Sequence, residues 1–100
     1  MENTRETKIV TTPVGKQKVV LHTYVTGREK RQLRDIYLDT TTTDGQKFNA
    51  AQDTAWNIII VSIDGNTENI VDTILNMHNE DTAFLTDTVN EVTTEQKKTN

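Results

Sequence analysis

A cluster of basic side chains in the first half of the chain is the strongest chemical signal in the sequence. Four cations lie close together at the end of the segment Val25–Arg34: Arg28, Lys30, Arg31 and Arg34. The segment contains no nucleophile, no set of metal ligands and no phosphate-binding loop. Guanidinium and ammonium groups bind anionic groups of a partner. The cluster therefore predicts a binding surface and not an active site.

The other polar residues do not form a recognisable catalytic or metal-binding set. Ser62 is the only serine, cysteine is absent, and His22 and His78 lack further ligands at metal spacing. The segment Asp64-Gly65-Asn66 looks like the start of a calcium loop, but the later ligands and the closing glutamate are missing. We therefore predict no catalytic residue, no metal and no cofactor, in a protein that is not an enzyme.

Charge is distributed unevenly along the chain. The net charge is −4, and no Lys or Arg occurs between Phe48 and Gln96. A net acidic chain disfavours nucleic acid as the partner, because free-standing nucleic-acid binders are usually basic. The asymmetry instead suits self-association or an oriented protein partner. A solvated acidic face is the simpler alternative.

Length and composition indicate one small domain with a thin core. The chain has 100 residues, of which 33 % are apolar, below the ~45–50 % that is usual when glycine is also counted. Part of the stability is therefore expected to come from a partner. The first residues lack the apolar region of a signal peptide, and no apolar run approaches the ~18 residues that span a bilayer. We predict a cytosolic protein with no membrane partner.

The N-terminal part of the chain has the pattern of a β-hairpin. Two segments favour strands, Lys8–Thr11 and Lys16–Val25. Between them, Thr12-Pro13-Val14-Gly15 is a turn signal in which Gly15 is free to take a positive φ. Both sets of alternate residues in the second strand include apolar side chains, so we expect this strand to be covered on both faces.

A helix is predicted after the hairpin. Thr26 and Glu29 match the Ser/Thr-x-x-Glu capping box, which predicts a helix over residues 27–39. Threonine is a poor helix former, so the four consecutive threonines that follow predict an exposed loop over Thr40–Phe48. Three apolar side chains at i, i+3 and i+4 are expected to face the core: Leu33, Ile36 and Tyr37.

The middle of the chain carries both helix and strand signals. Residues 50–56 favour a helix, whereas residues 57–63 are β-branched and favour a short buried strand. Periodicity does not separate a buried strand from a buried helix end. We predict a helix near Ala50–Ile59 that gives way to an extended segment, Ile60–Ile63. Trp56 is expected in the core, or, if it lies at the surface, as a binding anchor.

Two further helices are predicted in the C-terminal half. Asn66 is expected to cap the first helix, with Glu68 in its first turn, and Glu80 with Asp81 to cap the second. Each helix has an apolar stripe. The stripes consist of Ile70, Val71, Ile74 and Leu75 in the first helix, and of Phe84, Leu85, Val89 and Val92 in the second.

Together these segments predict one α+β domain over residues 8–92, an N-terminal β-hairpin followed by three or four short helices. Residues 1–7 are predicted to be a flexible N-terminus and residues 93–100 a disordered C-terminal tail. An exposed apolar patch on a small domain usually marks a partner site. We expect partner binding by the basic cluster and the apolar stripes: Arg28, Arg31, Arg34, Trp56, Ile70, Ile74, Phe84 and Leu85.

Two blocks of the sequence occur in an order and spacing typical of one protein family. The first, Tyr24–Leu38, contains a Thr-Gly-Arg-Glu helix start, and the second, Ile60–Ile70, contains Ile63-Asp64-Gly65 and precedes two short helices. Over most of residues 17–92 the chain resembles the small tail assembly chaperones of long-tailed (siphovirus-type) bacteriophages. It departs from their pattern in having Ile rather than Val before Asp-Gly, in its threonine-rich loop and in its single Trp56.

The resemblance implies a non-enzymatic protein that acts during virion assembly. Such a chaperone binds the apolar, helical tape measure protein, or another tail protein, and keeps it soluble while the tail tube assembles. It would act in the host cytoplasm and be absent from the mature virion. Two other functions stay open at this point: a structural virion component, such as a tail-tube, terminator or connector subunit, and a small nucleic-acid-associated regulator.

Overall fold

A computed structural model of the chain describes residues 5–95. Within these residues the chain forms three strands and four helices. In chain order they are β1 (Thr7–Thr11), β2 (Lys18–His22), α1 (Gly27–Leu38), α2 (Asp44–Ile59), β3 (Ile60–Ile63), α3 (Ile70–Leu75) and α4 (Asn79–Glu95). The predicted α+β fold with an N-terminal hairpin is confirmed. Two of the helices are longer than the short helices that the sequence predicted. α2 has 16 residues and α4 has 17.

The three strands form one antiparallel sheet in the order β1-β2-β3. Ile9 of β1 lies opposite Val20 of β2, and the β2–β3 pairing shifts register between Val20 and Leu21. Val19 and Leu21 are fully buried on the inner face, whereas Ile9 is 61 % exposed. On the outer face Val20 and His22 are only half-buried. The inner face of β2 is therefore covered as predicted, whereas the outer face is covered only in part.

The loop between β1 and β2 is held by a carboxylate that lies far away in the sequence. Asp81, in the first turn of α4, is 1 % exposed. Its Oδ1 accepts a hydrogen bond from the backbone N–H of Val14, and its Oδ2 accepts one from Gly15, both at 2.8 Å. Burial raises the pKa of Asp81, but these bonds and one from the Thr12 side chain outweigh it, so the pKa lies below its ordinary value. Asp81 therefore clamps the hairpin loop onto α4, a role beyond the helix capping that its position predicted.

Gly15 serves this clamp by its small size. A Cβ at Gly15 would lie 3.1 Å from Oδ2 of Asp81. The left-handed residue of the loop is Lys16, with a φ of 55°. The prediction that Gly15 takes the positive φ is therefore wrong, and its glycine is explained by the close approach of the carboxylate.

Capping boxes start both α1 and α2. Thr26 Oγ1 accepts a hydrogen bond from the N–H of Glu29 at 3.2 Å, and Glu29 Oε1 accepts one from the N–H of Thr26 at 3.0 Å. Thr43 and Gln46 form the same pair at 3.0 and 3.1 Å. The helix start at Thr26 is thus confirmed, and the predicted loop over Thr40–Phe48 is wrong in its second half. The last threonine of the run begins a helix, because its hydroxyl satisfies a backbone N–H that would otherwise be unpaired.

The C-terminal elements follow the prediction in type but differ at their boundaries. α2 passes directly into β3 at Ile60, as predicted. α3 begins at Ile70, and its cap position is Asn69, with a left-handed φ of 55° and no side-chain hydrogen bond. Asn66, the predicted cap, instead accepts a hydrogen bond from the N–H of Glu68 at 3.2 Å in the preceding turn.

The predicted ends of the domain also shift. Thr7 belongs to β1, although the predicted flexible terminus included it. α4 continues to Glu95, so residues 93–95 are helical and the predicted disordered tail is wrong for them. Arg5 and Glu6, also in the predicted flexible terminus, are described and contact Glu29 and Thr23. The rest of these two predictions, residues 1–4 and 96–100, lies outside the described residues.

The core lies between the inner face of the sheet and α2, α3 and α4. It consists of Val19, Leu21, Val25, Ala55, Trp56, Ile59, Ile60, Ile63, Ile70, Ile74, Leu85, Val89 and Val92. α1 packs against α2 but contributes no buried residue. Leu33 and Ile36 are half-buried and Tyr37 is 52 % exposed. The prediction that these three side chains face the core is therefore wrong for Tyr37.

Candidate functional site

An open groove of about 410 Å³ lies between α1, α2 and α4. α2 packs against both α1 and α4, and it supplies Ala51, Ala55 and Trp56 to the floor. The two alanines are one helical turn apart, so they leave room above the floor. The groove is lined by Lys30, Leu33, Arg34, Tyr37, Phe48, Ala51, Gln52, Ala55, Trp56, Thr86, Val89, Asn90 and Thr93.

Two aromatic side chains line this groove and are mostly accessible to solvent. Tyr37 of α1 is 52 % exposed and Phe48 of α2 is 57 % exposed. Leu38, next to Tyr37, is also exposed. Apolar side chains that share one concave surface are more informative than scattered ones, because ligand and partner sites are concave and mainly apolar. The groove is therefore the candidate binding site.

Among residues 5–95, the only charged side chains that line the groove are basic. Lys30 and Arg34 both belong to α1. Lys30 Nζ donates a hydrogen bond to the carbonyl oxygen of Thr93 at 2.8 Å, which links α1 to the last turns of α4. Arg34 has no ion-pair partner within residues 5–95. Lys30 and Arg34 form a basic rim along the α1 side of the groove. An anionic group at this rim would contact a guanidinium without an ion-pair partner among residues 5–95 and an ammonium group bound to a neutral carbonyl oxygen.

The N-terminal end of α1 is fixed by an ion pair that the sequence did not predict. Arg5 donates to both carboxylate oxygens of Glu29, at 2.9 and 3.0 Å, and its guanidinium lies 5.1 Å from the centre of the Tyr24 ring. Burial raises the pKa of Glu29. Hydrogen bonds from the N–H of Thr26 and from Arg5, with the charge of Arg5, outweigh burial and hold the pKa below its ordinary value. Glu29 therefore both caps α1 and ties it to the N-terminal segment.

The three arginines predicted as binding residues are separated by the structure. Arg28, Arg31 and Arg34 are all exposed on α1. Arg34 lines the groove, whereas Arg28 and Arg31 do not. Only one of the three is therefore placed to contact a molecule bound in the groove.

Most of the apolar residues predicted as a binding face belong to the core instead. Ile70, Ile74 and Leu85 are at most 6 % exposed, and Phe84 is half-buried outside the groove. The prediction of an accessible face at these residues is wrong. α3 packs against both α2 and α4, which covers Ile70 and Ile74, although Leu75 of the same stripe stays 57 % exposed. Trp56 is 1 % exposed but reaches the groove floor, and its Nε1–H has no hydrogen-bond partner in the described residues.

The groove residues that sequence reasoning missed carry a weak helical signal. Phe48, Ala51 and Ala55 fall at i, i+3 and i+7, which places them on one face of a helix. The threonine run before Phe48 favours a loop, so the sequence does not predict that Phe48 shares a helix face with Ala51 and Ala55. Leu33 and Tyr37, at i and i+4 on α1, were recognised as one face but assigned to the core.

Within the part of the chain that the structure describes, no three His, Asp or Glu side chains converge as metal ligands would. No helix among residues 5–95 is long and apolar enough to cross a membrane. The candidate site is the groove itself, an apolar surface with Lys30 and Arg34 as its basic rim.

A scan against models of protein families and searches of the curated proteins and the solved structures found no match to this chain.

Proposed function

We propose that this chain is a non-enzymatic binding protein that shelters an apolar helical segment of a partner in the groove between α1, α2 and α4. The observation that carries the proposal is the groove itself. It combines a floor of small and aromatic side chains with two exposed aromatic residues, Tyr37 and Phe48. Because both residues are more than half exposed, this surface is accessible to a partner.

The dimensions of the groove suit a short stretch of helix. Its walls extend from Lys30 to Tyr37 on α1 and from Thr86 to Thr93 on α4. At a rise of 1.5 Å per residue each wall is about 10 Å long, which is about two helical turns. Amphipathic helices dock in such grooves through side chains at i, i+3, i+4 and i+7. Two turns are enough to place one such set of side chains.

The energetics suit reversible protection of a partner. Fully burying a Phe side chain contributes about 1.5–3 kcal/mol. Covering Phe48 and the ring of Tyr37 would therefore contribute a few kcal/mol, from which the costs of association are subtracted. A binder with this small anchor area holds an apolar segment and releases it when a larger assembly competes for the same surface.

The identity of the partner is drawn from the resemblance in the sequence blocks. We propose that the partner is the tape measure protein of a phage tail. The chain would act in the host cytoplasm as an assembly factor and leave before the virion is complete. The open apolar groove supports this role, since a protein that keeps a long helical client soluble needs accessible apolar surface.

Co-expression with the tape measure protein tests the proposal. The soluble fraction of the tape measure protein should rise in the presence of this chain. The rise should be lost with a Tyr37→Ser, Phe48→Ser double variant and kept with Leu75→Ser, because Leu75 is as exposed as Phe48 but lies on α3 outside the groove. Equal solubility with and without the chain would disprove the proposal.

Mass spectrometry of purified virions separates this role from that of a structural tail component. An assembly factor should be absent from mature particles. Stoichiometric presence would favour the tail-tube, terminator or connector alternative.

A further inference from the structure

The basic rim of the groove indicates which class of helix it receives. We propose that the groove selects amphipathic helices whose apolar face is flanked on one side by acidic residues about one turn apart. This inference rests on the proposed function, because it specifies the chemistry of the helix that the groove shelters.

The charge of the rim is opposite to that of the whole chain. The chain has a net charge of −4, and no Lys or Arg occurs between Phe48 and Gln96. Within the part of the chain that the structure describes, the groove nevertheless has Lys30 and Arg34 as its only charged lining residues. Both come from one wall, α1, so the complementary charge on a guest helix is expected along one flank and not on both.

The spacing of the two cations defines the spacing of their partners. Lys30 and Arg34 are four residues apart on α1, about 6 Å along its axis. Carboxylates at i and i+4 on a guest helix that runs along α1 have the same separation. Arg34 would accept one carboxylate in a bidentate pair, and Lys30 would exchange the neutral carbonyl of Thr93 for the second. Hydrogen bonds to a charged acceptor are stronger than bonds to a neutral one, so this exchange favours the guest.

A second copy of this chain is a poorer occupant of the groove. α4 does present exposed acidic residues one turn apart, Asp87 and Glu91. Its apolar stripe, however, is buried at Leu85, Val89 and Val92. A second copy therefore offers the charge without the apolar face, unless its own core opens. The groove is better suited to a helix of another protein.

Intrinsic fluorescence gives a direct test, because Trp56 is the only tryptophan and forms part of the groove floor. Three Trp-free amphipathic peptides of about 18 residues, long enough to populate a helix, would share one Leu face and carry Glu, Gln or Lys along one flank. We expect the Glu peptide to bind about tenfold more tightly than the Lys peptide, with the Gln peptide between them. The difference should shrink in high salt, since exposed charges are screened.

Two charge-reversal variants on α1 distinguish a specific contact with the rim from a general effect of the charge of the helix. Arg34→Glu should lower affinity for the Glu peptide by about tenfold and raise affinity for the Lys peptide. Arg28→Glu is the matched control, because Arg28 is also exposed on α1 but does not line the groove. It should change either affinity by less than about twofold. Thermal melts of both variants establish that the fold is retained.

The outcomes separate this inference from the function on which it rests. If all three peptides bind with equal affinity, or if the two arginine variants have equal effects, the acidic-flank inference is wrong while the groove stays a helix-binding site. If none of the peptides changes the Trp56 signal or binds by calorimetry, the proposed function fails together with the inference.

Discussion

The two sides of the helical layer differ in how deeply their apolar side chains are buried. The closed side is formed by α3 against α2 and α4, and the open side is the groove between α1, α2 and α4. On the closed side, α3 packs against α2 and α4, and Ile70, Ile74 and Leu85 are almost completely buried. On the open side, α1 packs against α2 and buries no residue fully. Tyr37 and Phe48 stay exposed there. Stability is therefore expected to depend on the closed side and binding on the open side.

This division explains why α1 has so much charge and so little packing. It is held by its capping box, by the Arg5–Glu29 ion pair and by the bond from Lys30 to the carbonyl of Thr93. These polar contacts fix its position without covering the groove. Substitutions should accordingly separate the two properties.

Truncating a buried side chain on the closed side should have the largest effect. Leu85→Ala should lower the free energy of unfolding by about 2–5 kcal/mol, because it removes buried methyl groups and leaves a cavity. Urea denaturation measures this change. Leu75→Ala is the control, since Leu75 is 57 % exposed, and it should change stability by less than about 0.5 kcal/mol. Equal effects of the two variants would contradict the assignment of Leu85 to the stabilising core.

Removing the charge of Asp81 should give the next largest loss and change the response to acid. Asp81→Asn retains the size of the side chain but loses the carboxylate that accepts from Val14 and Gly15, so the melting temperature should fall. The pKa of Asp81 is lower in the folded protein than in the unfolded chain. Its contribution is therefore complete above the ordinary carboxyl pKa and is lost as the pH falls through the folded-state pKa, below about pH 4.

Thermal melts between pH 2 and pH 7 test this linkage. The difference in melting temperature between the wild type and Asp81→Asn should be constant near neutral pH and shrink in acid. A difference that stays the same down to the lowest pH would show that the carboxylate charge does not hold the hairpin loop.

The helix caps on the open side should have a moderate effect. Thr43→Ala removes the hydroxyl that accepts from the N–H of Gln46 and should cost about 1 kcal/mol. Thr42→Ala, one residue earlier at an exposed position, should change stability by less than about 0.5 kcal/mol. Chemical denaturation of both variants makes the comparison, and an equal loss at both positions would argue against a cap at Thr43.

An exposed groove residue should have the smallest effect on stability but a large effect on binding. Phe48→Ser should change the free energy of unfolding by less than about 0.5 kcal/mol. It should weaken binding of the Glu peptide at least about tenfold, because it removes an apolar anchor. Leu75→Ser has the same exposed fraction, 57 %, on the closed side and should leave affinity unchanged. Weakening by both variants would mean that the peptide does not bind specifically in the groove.

The sequence predicted those features that depend on local signals. The Thr26–Glu29 capping box, the turn of the hairpin and the change from α2 to β3 each depend on residues that are close together in the sequence. The clamp at Asp81 was missed because it joins groups 66 and 67 residues apart. The start of α2 was missed because a threonine run favours both a loop and a cap, and only the Thr43–Gln46 pair decides between them.

The candidate site could be predicted only in part, for a related reason. Amphipathic stripes show that residues such as Ile70 and Leu85 are covered, but not whether another helix of the same chain or a partner covers them. The basic residue Arg34 was assigned to a binding surface from sequence, and it lines the groove. Phe48 needed the three-dimensional arrangement of α1, α2 and α4, because its helix was interpreted as a loop.

Amide chemical-shift mapping during titration with the Glu-flanked peptide would locate the binding surface on the folded chain. The shifted resonances should cluster around the groove, at residues such as Leu33, Ala55 and Val89, while those of Ile70–Leu75 stay in place. Shifts concentrated on α3 or on the outer sheet face around Ile9, with the groove resonances unchanged, would contradict binding in the groove.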